Sequence, residues 1–142
     1  MVEVLVAVSV IAVSILASMT VSEKSIYVAR QSLHASEASF LLEEGAEVVR
    51  ILRDNAWSNI SSLSTSTNYY PTFSSPNWSL SLTPNTISIF KRTITVANVN
   101  RDNTTKDISP TGINDPGTKL ITITVSWPEG SVTVNKTLSF YI

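Results

Sequence analysis

The sequence predicts an α+β protein in which one long N-terminal α-helix packs on a small antiparallel β-sheet head. Three observations carry this expectation. Met1 to Ser22 form one apolar run with a single charge in it, Glu3. Apolar residues then continue at helical spacing as far as Leu52. From Trp78 onward the pattern becomes alternation, the period of a strand with one buried and one wet face. The 142 residues therefore divide into an apolar helix half at 1–22, an amphipathic helix half at 23–55 and a β-rich head at 56–142.

The apolar half is rich in β-branched residues (Val4, Val6, Val8, Val10, Ile11, Val13, Ile15, Val21), but its length without turn residues selects helix over strand. At 1.5 Å per residue it spans roughly 33 Å, enough to cross a hydrocarbon core. Ser9, Ser14, Ser18 and Ser22 recur every four or five residues and place small polar groups near one face. Either they let a second helix approach closely, or serine is simply tolerated there. A secretory signal would open with a basic region and close on a small-residue cleavage site. Neither is present, because Ala12, Ser14, Ala17 and Ser18 are scattered. The segment reads as retained, with any leader removed upstream of Met1. A carboxylate such as Glu3 costs roughly 2.5–3.5 kcal/mol in a membrane helix on insertion scales unless something pairs with it. It points to a partner, and another copy of the chain is the first choice. The competing reading is an acid solvated at the lipid headgroups.

The amphipathic half carries Ile26, Ala29, Leu33, Phe40, Leu41, Val48, Ile51 and Leu52 on one stripe, opposite Lys24, Arg30, Gln31, Glu43, Glu47 and Arg50. Leu33, Phe40, Leu41, Val48, Ile51 and Leu52, with Trp57 just beyond, are expected to pack the head. The pairs Glu47–Arg50 and Arg50–Asp54 stand at i,i+3 and i,i+4, each worth about 0.2–0.5 kcal/mol. Gly45 costs close to 1 kcal/mol against alanine in a helix interior, so it marks a close approach to the sheet. The helix is expected to end near Arg53–Asn55. At about 54 residues it would be roughly 80 Å long, too long for a small head, so its N-terminal half is expected to project.

Residues 58–76 are rich in Ser, Thr, Asn and Pro and read as a loop with at most a short strand. Four strand patterns follow: Trp78, Leu80 and Leu82; Phe90, Ile94 and Val96; Ile121, Ile123, Val125 and Trp127; Val132, Val134, Leu138 and Phe140. Pro128-Glu129-Gly130-Ser131 turns the last two into a hairpin. Lys136 falls on the inward face and fits a sheet edge, where lysine is a common guard. Residues 100–118 read as a long polar loop, a length at which loops are often functional.

A net charge of -1 gives no electrostatic case for nucleic acid. Abundant serine and threonine with few charges fit an extracellular domain better than a cytosolic enzyme. Absent cysteines exclude disulfides and thiolate metal sites. With one histidine, His34, neither a multi-His metal centre nor a Cys–His nucleophile can be built. No nucleophile-elbow motif is present, so no catalytic residue and no cofactor is assigned. Asp102, Asn103, Asp107 and Asp115 in the 100–118 loop have the oxygen chemistry for Ca²⁺, but their spacing fits no EF-hand and solvated loop acids are the favoured reading. Asn59, Asn77, Asn103 and Asn135 each open an N-glycosylation pattern, which chance alone supplies in so Ser/Thr/Asn-rich a chain.

The run Met1-Val2-Glu3-Val4-Leu5-Val6-Ala7-Val8 resembles the mature N-terminus of type IV pilins and pseudopilins, where an acid five residues into the processed chain precedes an aliphatic run. Glu37-Ala38, Leu41 to Arg50 and Arg53 to Trp57 resemble the second half of the long helix in pilin-like proteins, and Val125 to Gly130 resembles their closing hairpin. Aligning Glu3 with the family's acid places two residues before Met1; either the chain shown is trimmed or Met1 is the processed terminus with different spacing. The glycine and proline common midway in the family's helix are replaced by Ala12 and Thr20. The resemblance implies a cell-surface filament of bacterial origin, a helical homopolymer with the chain anchored in the cytoplasmic membrane before assembly. It implies a prepilin peptidase, methylation of the new terminus, an assembly platform and an ATPase, and roles in adhesion and twitching motility. Assembly contacts would fall on Glu3 with Met1, Val2, Val4, Leu5, Val8, Ile11 and Ile15. The alternatives are a pseudopilin of a type II secretion or DNA-uptake machine, or a single-pass anchored adhesin or sensor domain that does not polymerise.

Overall fold

A computed structural model describes residues 1–142. Helix α1 runs unbroken over Val2–Asn55, followed by one helical turn, α2, at Ser58–Ser61. Five strands follow: β1 at Tyr70–Ser74, β2 at Asn77–Ser81, β3 at Lys91–Arg101, β4 at Ile113–Glu129 and β5 at Val132–Tyr141. They form two antiparallel sheets, a β1-β2 hairpin and a three-stranded sheet in the order β3-β4-β5. The expected α+β fold with a long N-terminal helix is therefore present, with two small sheets in place of one. The chain divides into two compact units, Met1–Ser36 and Glu37–Ile142.

The core of the second unit lies between the C-terminal part of α1 and one face of the three-stranded sheet. Ile94, Val96, Ile121, Ile123 and Val125 point inward from β3 and β4 and are fully buried. Burying such a side chain is worth roughly 1.5–3 kcal/mol. Phe90 and Trp127 close one end, ring centroids 5.7 Å apart. Gly130, at φ +65°, opens the two-residue turn to β5, since Glu129 still pairs with Val132. Pro128 belongs to β4, beyond the last residue that β3 pairs with, Ser126, where the strand has one neighbour only.

The face that α1 presents to the sheet differs in phase from the sequence reading. Its buried residues are Ala38, Leu42, Gly45, Ala46, Val48, Val49 and Leu52. Val48 and Leu52 are among the expected head-packing residues, and Leu41 and Trp57 are partly buried against the core. Leu33, Phe40 and Ile51 are not: they are 57%, 67% and 41% exposed. At about 100° per residue, Phe40 and Ile51 stand more than about 100° around the helix from Gly45. A Cβ on Gly45 would lie 3.1 Å from Ile123 Cγ2 and 3.3 Å from Arg92 Cδ. Close approach selects small residues for the contact line and displaces the bulky ones, which the sequence reading had favoured for their hydrophobicity.

Two further expectations are adjusted. Residues 58–76 hold the short strand expected there, β1, and also the helical turn α2, and Tyr69 bridges to Ile94 through paired backbone hydrogen bonds of 2.8 and 2.9 Å. The polar segment 100–118 is loop over 102–112 only, for β3 reaches Arg101 and β4 starts at Ile113. The register jumps from Asn98↔Lys119 to Val99↔Asp115, so Pro116, Gly117 and Thr118 bulge from β4. In the other strands, Leu82 falls outside β2 and is exposed, and Val132 at the start of β5 is exposed as well.

Candidate assembly helix and head surface

Every residue of Met1–Arg30 is exposed. The apolar half of α1, including Glu3 and the expected assembly residues Met1, Val2, Val4, Leu5, Val8, Ile11 and Ile15, lies wholly in the first unit. Four of its hydroxyls bond back to the helix backbone. Ser9 donates to the Val6 carbonyl, Ser14 to Val10, Ser18 to Ser14 and Thr20 to Ala17, each at 2.8 Å, and Ser25 donates to Val21 at 2.9 Å. An apolar medium demands this, because it offers no water to a free hydroxyl. Ser14, Ser18 and Ser22 line a shallow groove with Ile11, Ile15 and Met19.

The head is held to α1 by polar contacts that the hydrophobic pattern hides. Arg92 is only 3% exposed. Its Nη1 donates to the Leu41 carbonyl at 3.0 Å and to Glu44 Oε2 at 2.7 Å, while its Nε has no partner. Arg92 shares inward parity with Phe90 and Ile94, and that parity was the available signal for it. Lys136 also has inward parity, on the edge strand β5, and its Nζ donates to Ser39 Oγ on α1 at 2.6 Å. Arg50 pairs with Glu47 and lies over the Phe140 ring at 5.7 Å, whereas Asp54 pairs with Arg53 and not with Arg50.

The acids of the 100–118 segment are not gathered around one point. Asp102 Oδ1 accepts from the N–H groups of Thr104 and Thr105 at 2.7 and 2.9 Å, and these bonds, that of Thr105 foremost, hold its carboxyl below the usual range. Asp115 accepts from Arg101 Nε at 2.6 Å, Thr118 Oγ1 at 2.7 Å and the Gly117 N–H at 2.9 Å. Those bonds, Arg101 first, lower its carboxyl to about 2. No three His, Cys, Asp or Glu side chains come together as metal ligands. Among the glycosylation-type asparagines, Asn59 spends its amide on the Leu52 carbonyl at 3.0 Å, Asn77 opens β2, Asn103 sits in the loop after β3 and Asn135 lies in β5.

These features define an α+β protein with a long apolar N-terminal helix. By length and composition that helix is compatible with membrane anchoring, and none of its most apolar stretch is buried. No protein-family model, no curated protein and no solved structure matches the chain.

Proposed function

We propose that this chain is the structural subunit of a type IV pilus-like surface filament and polymerises through the apolar half of α1. One observation carries the reading: a membrane-length helix half with every side chain exposed and a single acid, Glu3, near its start. Lipid tails are as apolar as a neighbouring helix, so leaving the membrane for a filament core gains little hydrophobic energy. Side-chain fit along Met1, Val2, Val4, Leu5, Val8, Ile11 and Ile15, and neutralisation of Glu3, then supply specificity. In the pilins that the N-terminus resembles, the acid pairs with the N-terminal amine of an adjoining subunit, which removes two unpaired charges from an apolar core and sets register. Head-to-tail contacts that do not close on themselves yield a helical filament. The subunit would wait in the cytoplasmic membrane of a bacterium. A prepilin peptidase, an assembly platform and an ATPase would process and extrude it.

The test is Glu3→Ala in cells that produce the chain, with membrane fractionation beside electron microscopy of sheared appendages. The variant is expected to stay in the membrane and to lose filaments. Filaments of normal yield from the variant, or no filament from the unaltered chain, would overturn the proposal; the second result would favour a plain membrane-anchored domain.

A further inference from the structure

The outer face of the three-stranded sheet, turned away from α1, carries rows of uncharged side chains between Lys91 and Tyr141. In register across β3, β4 and β5 stand Thr93, Thr124 and Thr137, then Thr95, Thr122 and Ser139, then Ala97, Leu120 and Tyr141. Hydroxyls link neighbouring strands, Thr122 to Ser139 at 3.0 Å and Thr124 to Thr137 at 3.4 Å. At the Leu120–Tyr141 end the segment after β3 folds over the sheet and forms a cleft of about 250 Å³. Its apolar walls are Tyr141, Leu120 and Ile108, and its polar groups are Asn98, Asn100 and Ser109.

We infer that this cleft binds one neutral pyranose ring of a glycan. Its chemistry narrows the ligand in three ways. No ionised side chain lines it, and of the neighbouring cations Lys119 is buried and bound to Asn98 Oδ1 at 2.6 Å and Arg101 is paired with Asp115, so an anion finds no counter-charge. It lies below the roughly 300–1,000 Å³ of sites for drug-sized ligands, which suits a single sugar ring better than a nucleotide. Tyr141 is 53% exposed and its hydroxyl makes no hydrogen bond, so the ring offers a face for sugar C–H groups and the hydroxyl a polar tip. Asn100 spends its N–H₂ on the Pro110 carbonyl at 3.4 Å and keeps its side-chain carbonyl as an acceptor for a sugar hydroxyl. Beyond the cleft, the hydroxyl rows as far as Lys91 give an uncharged track along which further sugar units can lie. The inference does not depend on polymerisation, because every residue it uses belongs to the unit Glu37–Ile142.

The test is saturation-transfer NMR on the full chain in a detergent without a sugar headgroup. The probes are methyl glycosides of glucose, galactose, mannose, N-acetylglucosamine and N-acetylgalactosamine, with methyl sialoside as the charged control. At least one neutral glycoside is expected to bind at millimolar Kd, to lose about tenfold in affinity in Tyr141→Ala and to stay within about threefold in Tyr141→Phe. Asn100→Ala, a second variant whose folding circular dichroism verifies, should weaken the same glycoside. Binding by none of the neutral glycosides, binding by the sialoside alone, or affinities unmoved by both Tyr141→Ala and Asn100→Ala would overturn the inference.

Discussion

Arg92 and Glu44 form an asymmetric pair. The arginine side chain is 3% exposed and the glutamate 41% exposed, so each loses something different when the other is removed. Without Glu44, the buried guanidinium keeps only the Leu41 carbonyl. Without Arg92, the carboxylate turns to water. Stranding a buried charge costs about 3–5 kcal/mol, whereas replacing the buried ion by an apolar side chain of similar volume is often neutral. Glu44→Ala is therefore expected to lower stability by about 3 kcal/mol, and Arg92→Met to change it by less than about 1 kcal/mol, because it also removes the unpartnered Nε. Urea unfolding of both variants in one detergent checks the order; equal losses would show that the pair behaves as an exposed one. Alternation in β3 was legible in the sequence, yet Arg92 breaks it, because hydrophobic period says where a side chain points and not which partner waits there. Glu44 lies 48 residues away in the chain.

The strands and helices were legible to unequal degrees. α1 ends at Asn55, within the expected 53–55, because its apolar spacing and the turn chemistry after it coincide. The extension of β4 back to Ile113 was not legible. Asn114, Asp115, Pro116 and Gly117 carry turn signals, and here those residues serve a bulge inside a strand. The bulge makes its own prediction. The folded Asp115 carboxyl titrates at about 2 against an ordinary 3.8, through Arg101, then Thr118, then the Gly117 N–H. A depressed carboxylate stabilises the fold fully above its unfolded value and loses that contribution as pH falls from 3.8 towards about 2. Asp115→Asn is expected to flatten the pH dependence of the urea midpoint across that window, leaving the smaller slope of the same sign that Asp102 supplies. An unchanged slope would mean that Arg101 does not hold Asp115 in solution.

Glu37–Ile142 contains every buried residue, from Ala38 to Glu129, while Met1–Ser36 contains none. A chain cut to 37–142 is accordingly expected to be soluble, monomeric and cooperatively folded, and the full chain to require detergent. Size exclusion and thermal melting by circular dichroism check this; an unfolded or aggregated fragment would show that the first unit supports the second. Composition and periodicity, which need no third dimension, were enough for the long helix, the lone acid among apolar residues and the alternating strands. Folding alone chose the face of α1 that meets the sheet, because close approach rewards Ala38, Gly45 and Ala46 over Phe40 and Ile51. It also chose the partners of Arg92, Lys136 and Asp115, and it brought Tyr141 beside Asn98 and Asn100. Contacts between residues far apart in the chain depend on register and distance, and a one-dimensional pattern carries neither.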